Sequence, residues 1–597
     1  MIVPMKKVFL IVQNKDANSS VKNLRELGLL HVEHERDPKG QELSSIQDNL
    51  NLVNQAIGIV GNVNQDSLAC KIKQKKPEDL KIIMQHIIDS RKRYEHLKEY
   101  SVTLKNRINP WEHWGDFEPE DVEVLKKDNI YLRFYEVLKD QINNFPQGVI
   151  VKKIFTQGAV VNCLVISIGE PEIIFKELEL PKTSLSAMKS RLKEDTLALG
   201  LIEDDISEHV CYLDDLLTLK NSWHKELEFY EALSGMGQEE SLTYLKGYIP
   251  FDAAPKLLNV AKKEGWGILL KTPSEEDNVP TLMRNPAWAA LIRPVLKLLE
   301  IIPGYRELDI SPVFIIFFSI FFGMLIGDAG CGLVYFLLTF IFQRKLGRKM
   351  KDQSVFFLFY LLSSCAIIWG LLIGSFFGQE WLLKAGYKPL APSLNNVSFI
   401  QAFCFLIGAV HLSIAHSWRA ALKAPSLTAL ADVGWILVIW AAFFLSKTLL
   451  LGDGFPFFGK WLIIAGLVLV LFFTNPQRNI LKGLGEGLGT IALGLMNNFT
   501  DVVSYVRLFA VGLAGTAIAD AFNSMAGGIN KGTVLTFAVS VLIIIVGHTL
   551  NIVLGPMSVL VHGVRLNVLE FSGHANVTWS GFEYKPLSEE INNVADV

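Results

Sequence analysis

The chain has 597 residues and a formal net charge of −3, too long for one domain and too evenly charged for a nucleic-acid-binding protein. Its hydrophobic residues, 50% of the total, are unevenly placed. Up to about Asp309 the sequence is rich in Lys, Glu and Asp, and beyond it come apolar runs long enough to cross a bilayer. The division predicts a cytosolic part over 1–309 and a transmembrane domain over 310–597. Six cysteines (Cys70, Cys163, Cys211, Cys331, Cys365 and Cys404) are scattered without a CxxC pair. That spacing fits a reduced cytosolic half and argues against both a disulfide framework and a metal site.

The N-terminus, MIVPMKKVFLIVQNKD, lacks the h-region and cleavage site of a signal peptide and reads as a first strand. Short β-rich runs at 5–13 and 28–34 flank a helix that stops at Gly28, which makes a small α/β lobe. Apolar residues then recur at three- and four-residue spacing from Gln41 to about Ile108, predicting two helical stretches. Strands are expected at 129–137, 148–155 and 159–168, and a helix from about Ile173. A long amphipathic helix is expected over roughly 183–235, then a strand from Leu242 and a helix from Asp252. Long helices far apart in sequence, with strand-helix lobes around them, predict an antiparallel coiled-coil arm with an α/β lobe at each end. His31, Glu33 and His34 are metal-ligand types, but alternation along a strand places neighbours on opposite faces, so they read as a polar strand end. Trp111 and Trp114 read as packing.

Hydropathy and turn signals predict eight transmembrane helices, at about 311–327, 328–343, 354–377, 398–417, 428–447, 459–474, 484–524 and 531–571. The first two share one apolar run broken at Gly327-Asp328, where a tight helical hairpin is expected. Basic residues favour the loops after the second, fourth and sixth spans, including Arg344, Lys345, Arg419, Lys423 and Lys482. This bias places both termini in the cytoplasm. The last two spans, about 41 residues each, make roughly 60 Å of helix against a ~30 Å hydrocarbon core, so they are expected to tilt strongly. Small residues on the seventh (Gly512, Ala514, Gly515, Ala517 and Ala519) allow a close approach, either by a partner helix or inside this chain.

Arg507 stands near the middle of the apolar run from Asp501 to Asn523. An arginine at the centre of a membrane helix costs roughly 2.5–3.5 kcal/mol, so it seldom sits there idle. It is permanently charged; its available chemistry is to stabilise a facing carboxylate and make it release its cation. Two partners are open: Glu570 on the next span, or a carboxylate supplied by another subunit, the reading preferred here. Arg565 and Glu570 are five apart and in an α-helix share a face poorly. His562, Asn567, Asp520, His548, Asp501, Ser504 and Tyr505 add polarity, together with Asn523, Asn551 and Glu486, and are candidates to line two aqueous half-routes. The segment Gly454 to Lys460 imitates a phosphate loop, but Trp461 stands where a magnesium-binding Ser or Thr belongs. No nucleotide, cofactor or metal site is expected in this chain. A secondary transporter is the main rival reading, and it needs inverted repeats that the two sets of four spans do not display. A membrane-anchored scaffold leaves Arg507 unexplained.

The MxVPMKK-type start, the WGDF and LKGYIP stretches, FFGMLIGDAGCG, and above all SYVRLFAVGLA (504–514) and HGVRLNVLEF (562–571) resemble subunit I of the prokaryotic V/A-type rotary ATPases, called subunit a in the eukaryotic vacuolar enzymes. The resemblance spans the whole chain. It implies a stator whose cytosolic arm binds the peripheral-stalk E/G subunits and a central-stalk subunit at the membrane face. Its membrane half would abut the proteolipid (c/K) ring, in a plasma membrane, with the A/B subunits hydrolysing ATP elsewhere. It further implies that Arg507 faces the ring carboxylate, with Arg565 and Glu570 matching the second arginine and following glutamate of the last helix. The transported ion would be H⁺ or Na⁺. Two positions depart from the eukaryotic pattern: Gly515 replaces a histidine and Gly555 a buried glutamate.

Overall fold

The computed structural model describes residues 1–62, 77–170, 172–347, 350, 352–379, 386, 388–474, 480–529 and 532–589. Cys70, Arg348, Lys349, Lys351, Lys384, Arg478 and Lys531 lie outside them, as do the side chains of Lys482 and Glu486. The chain divides into two compact units: residues 1–12, 24–33 and 244 onward form one, residues 13–23 and 34–243 the other.

In chain order the polar half holds β1 (Met5–Gln13), α1 (Ala17–Leu27), β2 (His31–Glu33), α2 (Gln41–Val60), α3 (Pro77–Ile108), α4 (Pro119–Lys127), β3 (Ile130–Leu138), β4 (Ile150–Gln157) and β5 (Val160–Ile168). It continues with α5 (Leu185–Glu208), α6 (Leu213–Ser234), β6 (Gly237–Glu239), β7 (Leu242–Pro250), α7 (Ala254–Glu264), β8 (Gly267–Lys271), α8 (Ala287–Ala290) and α9 (Arg293–Leu298).

In the unit built around residues 34–243, α3 runs antiparallel to α5. His86 meets Asp205 at 2.9 Å, while Leu104 shares a core with Leu185 at the other end. Apolar residues of α2, α3 and α6 (Leu50, Val53, Met84, Ile87, Leu216 and Leu219) close a continuous core, as their helical spacing requires. Trp111 and Trp114 pack edge-on against Phe134, as packing residues do. The antiparallel sheet β3-β5-β4 sits at the same end.

Three expectations fail here. The helix foreseen over 183–235 is interrupted at His209–Tyr212. The His209 ring nitrogen Nδ1 takes the Asp205 carbonyl at 2.7 Å, and the His209 amide turns to Ile206 and Ser207 instead. No helix starts at Ile173, because backbone groups at 177–178 pair with β3: Glu177 bridges Tyr135 and the Leu178 amide donates to the Phe134 carbonyl. Cys211 is disulfide-bonded, against the expectation of reduced thiols; linear spacing cannot display a pairing made by folding.

In the other unit the sheet order is β2-β7-β1-β8, with β1 antiparallel to β8 and β2 antiparallel to β7. Lys7 on β1 donates to Asp277 at 2.6 Å, and that bond holds the Asp277 carboxyl down to about 2. His31 on β2 accepts the Lys585 amide at 3.0 Å, so the ring is engaged as a polar strand residue. The C-terminal segment is tied to this lobe: Thr281 exchanges backbone bonds with Phe582 and Tyr584, and the Leu587 amide donates to the Leu30 carbonyl.

The apolar half of that unit contains α10 (Ser311–Ile326), α11 (Ala329–Leu346), α12 (Ser354–Ile373), α13 (Val397–Lys423), α14 (Ala429–Leu451), α15 (Phe457–Phe473), α16 (Ile480–Ser504), α17 (Val506–Ile529), α18 (Val534–Ser558) and α19 (Ser572–Ala575). Among the described residues six helical spans are long and apolar enough to cross a membrane: α11 to α14, 491–529 and 534–575. Helices α10 and α15 are apolar but shorter, 16 and 17 residues. At 1.5 Å per residue they reach about 24–26 Å, just under the hydrocarbon thickness. The break between α10 and α11 falls where Gly327 and Asp328 predicted. Gly327 adopts φ 64°, and Asp328 caps α11 by accepting the Cys331 amide at 2.9 Å. The two helices do not form a closed hairpin, since both find their main helix partner in α12. Gly512 and Ala519 are buried inside the chain, whereas Leu513, Ala514 and Ala517 stay exposed, so only part of the small-residue face is free. A Cβ at Gly512 would stand 2.6 Å from the Met324 carbonyl.

Candidate functional site

The long seventh span is interrupted once, at Tyr505, between α16 and α17. The Tyr505 ring is fully buried against Gly408, where a Cβ would meet it at 2.7 Å, and its hydroxyl bonds His411 Nδ1 at 2.8 Å. The Leu508 amide turns to the Tyr505 carbonyl at 3.1 Å, which releases the Ser504 carbonyl from the helix ladder. Arg507 Nε donates to that freed carbonyl at 3.0 Å. Arg507 Nη2 donates to Glu570 Oε1 at 2.7 Å. Of the two partners left open, Arg507 thus meets Glu570 of its own chain, where a carboxylate of another subunit was preferred. The 63 positions between them are bridged because the long last spans pack side by side.

Arg565 and Glu570 also meet, with Nε 3.7 Å from the same Oε1. Spacing on an α-helix argued against this contact; the last span is not α-helical there. Val559–Gly563 and Leu566–Phe571 are π-helical, with the Val564 amide bonded to Val559 and the Ser572 amide to Asn567, five residues back. Five-residue turns bring i and i+5 together, and such bulges collect at functional sites. Pro556 lies just upstream and leaves the Ile552 carbonyl without its helical donor. The Tyr335 hydroxyl of α11 donates to it at 2.8 Å. The same hydroxyl sits 2.8 Å from where a Gly555 Cβ would be, so this protein has no space for a side chain there. At Gly515 the neighbour is Asn551, whose Nδ2 donates to the Gly515 carbonyl at 3.3 Å.

The remaining predicted residues separate into groups. Asp501 Oδ2 contacts His574 Nε2 at 3.0 Å and lines a cavity of about 390 Å³ together with Arg565 and Glu570. His548 bonds Asn523 at 3.1 Å, and Asn523 donates to the Phe377 carbonyl. Asp520 is exposed on α17 near them in sequence, thirteen positions from Arg507, or about 20 Å along a helix. Ser504 contributes its carbonyl and Tyr505 its buried hydroxyl, neither to the cavity. Asn567 is fully buried and donates back to the Gly563 carbonyl at 3.0 Å, a bond local to the π segment. His562 is partly buried and has no hydrogen-bond partner among the described residues.

Sequence reading missed a second polar cluster. His574 Nδ1 lies 2.9 Å from His416 Nε2, whose Nδ1 is 3.2 Å from Asp432 Oδ1. Lys423 reaches Asp432 at 2.7 Å and Arg419 reaches it at 3.5 Å. The signal was available, because His416 and Asp432 are ionisable residues within apolar helices. Elsewhere, among the described residues, His86, Asp205 and His209 form the one group that could hold a metal ion, and hydrogen bonds already engage all three.

These features define a multi-pass membrane protein that holds two arginines and a glutamate together inside its apolar half. No family model matches the chain. It is 31% identical over 617 residues to V-type ATP synthase subunit I of Borreliella burgdorferi, covering 99% of this chain and 100% of that one. It is 29% identical to V-type ATP synthase subunit I 1 of Treponema pallidum, again over 99% and 100%. A-type ATP synthase subunit I of Methanocaldococcus jannaschii is 26% identical, over 66% of this chain and 62% of that one. Among solved structures, the cytoplasmic N-terminal domain of a V-ATPase subunit I aligns with a TM-score of 0.23 and 15% identity, over 45% of this chain and 100% of that one. The chain belongs to the V-type ATP synthase subunit I family. That membership leaves the secondary-transporter reading without support.

Proposed function

We propose that this chain is the membrane stator of a V/A-type ATP synthase and that Arg507 acts on a carboxylate of the proteolipid ring. The observation that carries the reading is the shared carboxylate: two guanidinium groups converge on Glu570 Oε1, which leaves the trio one positive charge in excess. A cation in excess beside lipid favours the ionised form of an acid presented to it, and so drives release of that acid's bound ion. Arg507 remains 23% exposed, enough for its guanidinium to be reached from outside the chain. The polar side chains fall on both sides of it: Asp501 and His574 one way, Asp520, Asn523 and His548 the other. This supports two offset half-channels, with Arg507 between them barring a direct leak of cations.

Eight crossings, with α10 and α15 included, put both termini in the cytoplasm, and the bonds between residues 582–587 and the N-terminal lobe support that. Residues 1–309 form the cytosolic part, whose paired helices α2, α3, α5 and α6 make a coiled-coil arm for the peripheral-stalk E/G subunits. Residues 310–597 form the translocation domain in a prokaryotic plasma membrane. The central-stalk subunit meets the cytoplasmic face, and the A/B subunits hydrolyse or make ATP at a distance. The test is ATP-driven ion uptake by vesicles containing the whole complex with Arg507→Ala. Loss of uptake from an assembled complex is expected, and near-normal uptake rejects the assignment.

A further inference from the structure

Four titratable side chains from four helices form one continuous array beside the site. Asp501 of α16, His574 of α19, His416 of α13 and Asp432 of α14 are linked by contacts of 3.0, 2.9 and 3.2 Å. His416, His574 and Asp432 are buried, with side chains 4%, 9% and 2% exposed. Each link is at hydrogen-bond distance and so needs one proton. Two neutral imidazoles bring two protons, and a terminal carboxylate can only accept. If each ring donates outward to its carboxylate, the central 2.9 Å contact faces two lone pairs and has nothing to hold it. Two neutral rings therefore leave one of the three contacts without a proton, and a proton arriving on Asp501 fills it.

We propose that Asp501, His574, His416 and Asp432 form a proton relay between the Glu570 cavity and the C-terminal end of α13, so that this side of the route passes H⁺ and not Na⁺. The inference rests on the stator reading above. One end lies at the site, since Asp501, His574 and His416 line the cavity that also contains Arg565 and Glu570, and Asp432 alone of the four stands outside that lining. The other end is Asp432, which faces Lys423, 38% exposed, and Arg419, both on α13. Arg419 also donates to the His574 carbonyl at 2.9 Å and fixes that ring's backbone. A proton delivered to Asp501 passes to His574 Nε2. The His574 Nδ1 proton then moves to His416 Nε2, and the His416 Nδ1 proton to Asp432. Only N–H and O–H bonds change, and one proton leaves for each that arrives. Na⁺ is a hard cation that requires oxygen ligands, and a histidine pair supplies none.

The test uses the complete complex in sealed vesicles, with ATP-driven H⁺ uptake read by a pH-sensitive dye and Na⁺ uptake by radioactive tracer. Wild type is expected to acidify vesicles in Na⁺-free buffer. His416→Gln and His574→Gln should each lower H⁺ uptake at least about tenfold, the scale on which positioned proton-transfer groups act. Millimolar imidazole should partly restore His574→Ala, a rescue that a purely structural histidine would not give. Normal uptake by both glutamine variants, absence of rescue in assembled His574→Ala, or Na⁺ uptake by wild type each overturns the relay. Arg507→Ala, run in parallel, separates the two ideas. If it also pumps normally the stator reading fails; if it alone is inactive, only the relay fails.

Discussion

Glu570 is held by more positive charge than a single carboxylate can neutralise. Its Oε1 meets both Arg507 and Arg565, and its Oε2 is buried without a partner among the described residues. Removing one member of a buried ion pair costs about 3–5 kcal/mol, because the survivor keeps its desolvation penalty. Glu570→Ala leaves two cations facing one another, and the yield of assembled complex is expected to fall. Glu570→Gln still offers an oxygen to Arg507, so assembly should survive while ion uptake drops. Comparing complex yield and vesicle uptake for the two variants checks this; equal behaviour would mean that the charge on Glu570 is irrelevant. Arg507 was visible in the sequence because a lone cation in an apolar run is costly. Glu570 was legible only as one of two candidates, since nothing local connects residues 63 positions apart, and His574 was missed because it lies just beyond the hydrophobic run.

The last span shows what an element contributes beyond its residues. Pro556 removes one helix bond, Tyr335 satisfies the freed carbonyl, and two π segments follow. Each π segment holds an extra residue relative to an α-turn, so it takes up one residue without turning those after it. Deleting exposed Leu560 from the first segment should therefore restore α-geometry and keep the downstream orientation, whereas deleting exposed Val553 from the α-helical part of the span rotates the downstream residues by about 100°. Ion uptake should survive the first deletion, while the second turns Arg565 and Glu570 away from Arg507 and abolishes it. Vesicle uptake by the two assembled complexes checks this; loss in both would mean that the π turn itself, and not the register, is required. Hydropathy located the six spans that are long and apolar enough to cross a membrane among the described residues, and Gly327-Asp328 marked the first break. The π segments were illegible because no residue type marks a five-residue turn apart from a four-residue one. The interruption at His209 escaped notice for a related reason: it depends on one ring capturing the Asp205 carbonyl, which helical periodicity does not register.

At the scale of the whole molecule, composition changes near Asp309, but compactness divides the chain elsewhere, at 34 and 243. Residues 34–243 contain their own apolar cores, one among α2, α3 and α6 and another where Leu104, Ile108, Trp111 and Trp114 meet Phe134, Leu185 and Met188. They also contain the complete sheet β3-β5-β4, whose inner face buries Tyr135, Val137, Val161 and Val165. A segment of about 200 residues with its own cores is of the size that folds alone. The excised segment is therefore expected to be soluble, strongly helical by far-ultraviolet circular dichroism and cooperative in thermal unfolding. Trp111 and Trp114, 5% and 9% exposed, supply a second probe whose emission should shift to the red in the same transition. Coincident transitions would establish that this part folds without the membrane helices. A broad, non-coincident transition would mean that its cores are completed by the rest of the chain, and that the arm is stable only in the intact subunit.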